Sequence, residues 1–311
     1  MNSEPILVVP GEKKSIFFEI FFKSTKSIKI ISPLILICNK RILDNEIKKY
    51  KFRQKIEIID LDKILEKKFI NKKIYLIDIT NQKPKNYIQL CFKVAFKLIK
   101  KGLSKKLING PINKSKTFKG KYLGVTEYVA KNFKQKNCAM LIYNEKLSVC
   151  PVTTHLPLKS VTKKITKKLI REKIEIIDHF FKKFLNFKPK IGIVGLNPHC
   201  ESIFQFNEDT KIISPVVNSM KKKYWVRGPI PADTIFLKNN RKKFNVIIGM
   251  YHDQVLTPFK TLFKYNAINI TLGLPFIRIS PDHGIAENII GKNLANPDSL
   301  IEAIKFFNYK K

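Results

Sequence analysis

Short apolar runs alternating with amphipathic stretches of helical length predict an α/β protein with a largely parallel sheet. Three observations carry that expectation. Residues 6–9, 34–38 and 191–194 are buried-strand runs rich in Ile, Leu and Val. Stretches such as 87–101 repeat their apolar residues at helical spacing. A chemically dense segment, 249–290, follows the apolar run 244–248. That segment holds His252, Asp253, Gln254, Lys260, Asn269, Arg278, Asp282 and His283, punctuated by Gly273, Pro275, Pro281 and Gly284. Its first polar residues fall just past a strand's C-terminal end, which is where open α/β sheets bind ligands.

Taken in order, residues 6–9 form a first strand closed by Pro10-Gly11, and 15–26 read as helix. Residues 34–38 are a second buried strand, 41–51 a helix, and 55–59 and 74–79 further strands. Between 87 and 101, Ile88, Cys91, Phe92, Ala95, Phe96 and Ile99 share one helix face. Residues 139–143 and 147–152, separated by Asn144-Glu145-Lys146, read as a hairpin. A long amphipathic helix spans 161–187 and must end before Pro189; 191–194 is strand, and a helix containing Ile304 closes the chain. No internal repeat, low-complexity linker or sharp domain boundary is visible.

The 311 residues suffice for one large core or two medium ones, and 44% hydrophobic content is that of a soluble globular protein. No apolar run is long enough to span a bilayer, and the N-terminal residues lack the pattern of a signal peptide. The five cysteines, Cys38, Cys91, Cys138, Cys150 and Cys200, are scattered without metal or redox spacing, so reduced thiols and a cytoplasmic location are expected. The net charge of +36 raises nucleic-acid binding as a candidate role. Only six of the sixty basic residues are arginine, the residue suited to phosphate and base recognition, and the lysines run along the whole chain. A general lysine bias explains the charge better than a nucleic-acid interface does.

His155, His199 and His252 share one context: each follows an apolar strand-like run and lies at a turn, in VTTHLPL, GLNPHCE and GMYHDQV. Three imidazoles at loop ends can hold a divalent cation with coordination positions left open. One histidine alone would more often hydrogen-bond a backbone carbonyl; three in matching contexts favour the ligand reading. His179 lies inside the long helix and reads as structural, whereas His283 is a candidate to support the ligands or contact a nucleotide. Neither the Rossmann fingerprint nor the P-loop signature occurs among the twelve glycines.

The strings NGPINK (109–114), GVTEYVA (124–130), PVTTHLPLKSV (151–161), GLNPHCE (195–201), GPIPADTIF (228–236), GMYHDQVLTPFK (249–260), INITLGLPFIR (268–278) and SPDHGIA (280–286) resemble those of the 4-hydroxythreonine-4-phosphate dehydrogenase family, in the same order. The resemblance covers roughly residues 105–305. It implies a two-lobed α/β/α fold of the isocitrate/isopropylmalate dehydrogenase type, with the active site in the inter-lobe cleft. The expected lobes are 1–124 with 282–311, and 125–281. It further implies a homodimer whose metal site is shared between chains. The family's metal ligands fall on His155, His199 and His252, and its substrate-binding residues on Thr126, Lys260, Asn269 and Arg278. Asp233 would line the same cleft.

The implied activity is NAD(P)-dependent oxidation of 4-phosphohydroxy-L-threonine to a 3-keto acid that decarboxylates, a step of pyridoxal 5'-phosphate biosynthesis. A cation of zinc, magnesium, manganese or cobalt would acidify the substrate hydroxyl, and Lys260 and Arg278 suit a phosphate and a carboxylate. Asp233 or Lys114 would carry the proton, and the sequence does not choose between them.

The chain departs from the family pattern in places. The glycine-rich loop GDPAGIGPE appears as GEKKSIFFE at 11–19, and Val125 stands where the family has a substrate-binding histidine. The segment after His199 is shortened to Cys200-Glu201-Ser202, and Val255 replaces a usual glycine. These changes leave two alternatives to the named reaction: a dehydrogenase of a related phosphorylated acid, such as 4-phosphothreonate or 4-phosphoerythronate, or a non-catalytic relative.

Overall fold

Strands that read as unbroken apolar runs should be covered on both faces, and β1 (Ile6–Val9) and β2 (Leu34–Cys38) are buried at every position. The computed structural model describes residues 3–80, 86–122, 124–201 and 206–309. They form two compact units, 1–129 with 274–311, and 130–273.

In the first unit β1 is followed by α1 (Phe17–Ser27), β2, α2 (Lys40–Lys49), β3 (Ile56–Ile59), β4 (Ile74–Asp78), α3 (Tyr87–Lys100), β5 (Lys106–Asn109) and α4 (Lys114–Phe118). Asn39, Asn86 and Asn113 cap α2, α3 and α4, each accepting from a backbone N–H three residues on. The division between units falls within α5 (Val125–Asn132).

The second unit continues with the hairpin β6 (Ala139–Tyr143) and β7 (Ser148–Thr153), then α6 (Val161–Lys164), α7 (Lys167–Leu185) and β8 (Ile191–Val194). After α8 (Ser214–Met220) come β9 (Val226–Ile230), the short helices α9 (Ala232–Ile235) and α10 (Lys238–Arg241), β10 (Val246–Tyr251), α11 (His252–Phe263) and β11 (Ile268–Leu272). The chain returns to the first unit with β12 (Ile277–Pro281) and α12 (Asp298–Tyr309).

The first unit's strands run in the order β3-β4-β2-β1-β5-β12, every neighbouring pair parallel. In the second the order is β11-β6-β7-β10-β8-β9. Strand β6 is antiparallel to β11 and β7, and the rest pair in parallel. The α/β expectation therefore holds, and so does the hairpin.

One expectation needs correction. The helix expected over 161–187 is interrupted at Ile165-Thr166. Thr166 is extended and its side chain accepts from Leu169 N, so it caps α7 as a separate helix. Strand β12 pairs with β5 over Ile277–Ile279, which brings Arg278 into the first unit, and Thr126 precedes the division in α5.

The altered loop at 11–19 has a physical solution. Only Gly11 there keeps a positive φ (85°), and a Cβ on it would lie 2.3 Å from Pro111 O. The bulk that follows turns inward: Phe17 is fully buried, and Phe18, Phe21 and Phe22 pack behind it. Ser15 Oγ accepts from Phe17 N at 3.3 Å, so the serine organises the start of α1 in place of a flexible turn. Glu19, almost wholly buried, accepts from Lys23 Nζ, Ala295 N and Tyr50 OH, tying α1 to the C-terminal segment.

Candidate functional site

In the second unit, parallel strands place chemistry at one edge. Strand β10 lies between β7 and β8, with Tyr251 opposite Thr153 and Ile248 opposite Ile193. His252 opens α11 directly after β10, and the turns that follow β7 and β8 carry His155 and His199. All three histidines therefore sit at the C-terminal edge of neighbouring parallel strands, as their shared context predicts. His155 and His199 adopt positive φ (32° and 55°), a backbone cost that a functional turn can hold.

The rings of His155 and His252 lie 5.8 Å apart between centroids. His252 Nδ1 is 2.6 Å from Asp253 Oδ1; with its proton on Nδ1 the imidazole donates to the carboxylate and keeps its lone pair on Nε2. Two imidazoles this close are a donor set that suits a divalent cation. Among the described residues no group of three His, Cys, Asp or Glu side chains converges on one point, so His199 is not brought together with that pair. His179 is exposed on α7, and His283 Nδ1 contacts Gly284 O at 3.1 Å.

Two residues hold this edge in place: Gln254 of the dense segment, and Asp209, which the sequence does not single out. Asp209, fully buried, accepts from Leu196 N at 2.8 Å, Asn197 N at 3.0 Å and Asn197 Nδ2 at 2.8 Å, fixing the turn that leads to His199. Gln254 accepts from Met250 N and donates to Gly195 O, both at 2.7 Å, and so clamps the ends of β10 and β8. The signal for Gln254 is its place in YHDQ; Asp209 has none, because its partners, two backbone amides and the Asn197 side chain, lie twelve and thirteen residues back. Val255 fits because Gly249 has no Cβ, which would otherwise lie 2.4 Å from the valine Cγ1.

Asp233 is exposed on α9, and its charge helps raise the Cys200 thiol to about 11, behind burial and Asp209. That places Asp233 near the His199 turn. Ser202, in the shortened segment, lies outside the described residues. Lys260 sits on α11, half-buried, and desolvation pulls its ammonium below the ordinary lysine range. Asn269 on β11 has a buried Oδ1 with no hydrogen-bond partner among the described residues, an acceptor that a native structure retains for a reason.

The first unit builds a separate polar group around Arg278, which is 2% exposed. Its Nε donates to Asn109 Oδ1 at 2.6 Å, and its guanidinium also donates to Ser280 Oγ. Burial lowers the Arg278 pKa to about 9, opposed by the nearby Glu127 charge, so the side chain stays cationic at neutral pH. Glu127 carries a buried Oε2 without a partner among the described residues. Asn109 and Glu127 lie in quoted motifs, yet only the structure shows that they attend Arg278. Thr126 and Val125, half-exposed, open α5 beside Glu127, and Lys114 is exposed at the start of α4.

With this geometry in view, comparison with known proteins is decisive on family. A family profile described as "Pyridoxal phosphate biosynthetic protein PdxA" matches residues 29–307. The chain belongs to the PdxA family. Among curated relatives, a 4-hydroxythreonine-4-phosphate dehydrogenase of Sulfurihydrogenibium is 46% identical over 187 residues, covering 59% of this chain and 58% of that protein. One from Xanthobacter autotrophicus is 39% identical, covering 68% of this chain and 64% of its own length. The aligned stretches thus span less than two thirds of these two relatives. A D-threonate 4-phosphate dehydrogenase of Pectobacterium atrosepticum is 36% identical over 69% of this chain and 67% of that protein. Among solved structures, the 4-hydroxythreonine-4-phosphate dehydrogenase of Klebsiella pneumoniae superposes with a TM-score of 0.82 at 29% identity, covering 99% of both chains. PdxA membership accounts for the α/β fold and for the order of the motifs. No helix among the described residues is long and apolar enough to cross a membrane.

Proposed function

We propose that this chain oxidises 4-phosphohydroxy-L-threonine with NAD or NADP, giving a 3-keto acid that decarboxylates to 3-amino-2-oxopropyl phosphate. The observation that carries the reading is the His155–His252 pair at the end of parallel strands, in a chain of the PdxA family. The His155 and His252 imidazoles would hold a divalent cation, and His199, which is not brought together with them here, would have to approach to join. When bound, such a cation acidifies a coordinated hydroxyl and polarises a carbonyl.

The remaining work falls to the chain's own side chains. Arg278, fixed by Asn109 and Ser280, binds one anionic group of the substrate, and Lys260 binds another. The unpaired Asn269 Oδ1 accepts from a substrate hydroxyl or ammonium. Asp253 holds the His252 ring in one orientation. Between the two candidate proton carriers, Asp233 is favoured by its place near the His199 turn, whereas Lys114 lies at the start of α4. The reading includes a cytoplasmic homodimer in which a second copy completes the metal site.

A second reading has specific support. Val125 removes a hydrogen-bonding group, and the relative from Pectobacterium acts, by its name, on D-threonate 4-phosphate. Side-by-side kinetics with the two phosphorylated acids separate the readings. A higher kcat/KM for 4-phosphohydroxy-L-threonine supports the first, and a higher value for 4-phospho-D-threonate supports the second.

A further inference from the structure

The first unit contains a cavity of about 320 Å³ that lies outside the Arg278 group. Its wall combines Lys13 and Lys14 from the altered loop, Lys116 from α4, Tyr87 at the start of α3, and the acids Glu12 and Glu287. The volume is at the lower end of small-molecule sites.

Its charge balance is set by what each side chain already does. The Glu12 carboxylate accepts from Asn113 N at 3.0 Å and Thr117 Oγ1 at 3.1 Å, so it is committed to bracing the loop against α4. The three lysines are exposed, and Lys13 Nζ stands 4.7 Å over the Tyr87 ring, which holds its ammonium at the cavity wall. Against them stands one exposed carboxylate, Glu287. Two of the three ammonium groups belong to the segment where this chain replaces small residues. The replacement therefore adds charge to the cavity as well as bulk to the core.

We propose that this cavity takes the adenosine 2'-phosphate end of NADP, and that Lys13, Lys14 and Lys116 select that cofactor over NAD. The inference rests on the proposed dehydrogenase reading for the presence of a nicotinamide cofactor. A 2'-phosphate carries close to two negative charges and presents acceptors to several ammonium donors, whereas a free 2'-hydroxyl presents neither. A site built for NAD does the reverse and offers an acid to the ribose hydroxyls. Here Glu287 is the single uncommitted acid among three lysines.

The test is calorimetric titration of the full chain with adenosine 2',5'-bisphosphate and with 5'-AMP, at near-physiological salt. The bisphosphate is expected to bind roughly tenfold or more tightly than 5'-AMP, a ratio that charge-assisted contacts readily supply. The triple variant Lys13→Ala, Lys14→Ala, Lys116→Ala should lose that ratio while keeping its affinity for 5'-AMP. Lys→Arg at the same positions should keep it. Thermal melting confirms that each variant is folded, as expected for exposed positions. Equal binding of the two probes, or tighter 5'-AMP binding through Glu287, overturns the proposal. So does a preference that survives the triple substitution, since it would belong to the generally basic surface. Turnover with NAD but no probe preference would leave the dehydrogenase reading standing and remove this one. Probe preference without oxidation of either phosphorylated acid would do the opposite.

Discussion

At the scale of single residues, the account depends on groups whose environment departs from the ordinary. His252 has one ring nitrogen engaged by Asp253, and the other is the one proposed as a metal ligand. His252→Ala should abolish metal-dependent oxidation and leave the circular-dichroism melting curve close to that of the parent. Full activity in that variant would remove His252 from the metal site. Lys260 has its ammonium disfavoured by burial, and an anionic ligand restores the charged form. Substrate affinity should therefore be strongest below the lowered Lys260 pKa and weaken as pH rises through it, at lower pH than an ordinary lysine would dictate. KM measured from neutral to alkaline pH checks the sign, and Lys260→Arg should flatten the rise. Asn269 and Glu127 belong to the same class of buried, unpaired polar atoms, and no sequence pattern distinguishes them from ordinary strand and helix residues.

At the scale of elements, the three histidine turns are only as rigid as the bonds that anchor them. Asp209→Ala strands the Leu196 and Asn197 amides, at a cost of about 2–4 kcal/mol from two charge-assisted bonds. Urea unfolding should show that loss, and metal affinity should fall with it because the His199 turn loosens. Phe17→Ala opens a cavity beneath α1 and should cost about 3–5 kcal/mol by the same assay. The strands and most helices were legible because buried parallel strands leave apolar runs that no loop imitates. The break at Thr166 was not legible, because the amphipathic period continues through it and only the threonine's capping bond to Leu169 N reveals the stop. Asp209 was hidden for a related reason: it acts on the Leu196–Asn197 turn more than ten residues away, which residue spacing does not encode.

At the scale of the whole molecule, family membership rests on the long match over 29–307, and the α/β fold on the strand order within each unit. Arg278 belongs to the first unit because it sits in a strand whose partner, β5, lies far back in sequence. The strong positive charge gave no useful direction to the sequence reading, yet in the first unit three of its lysines meet around one cavity. The measurement that tests the central claim most directly is nicotinamide reduction by the purified chain with 4-phosphohydroxy-L-threonine, with and without a chelator. The account predicts turnover that the chelator abolishes and added divalent cation restores. A folded, metal-supplied protein that reduces neither NAD nor NADP with this substrate would contradict it.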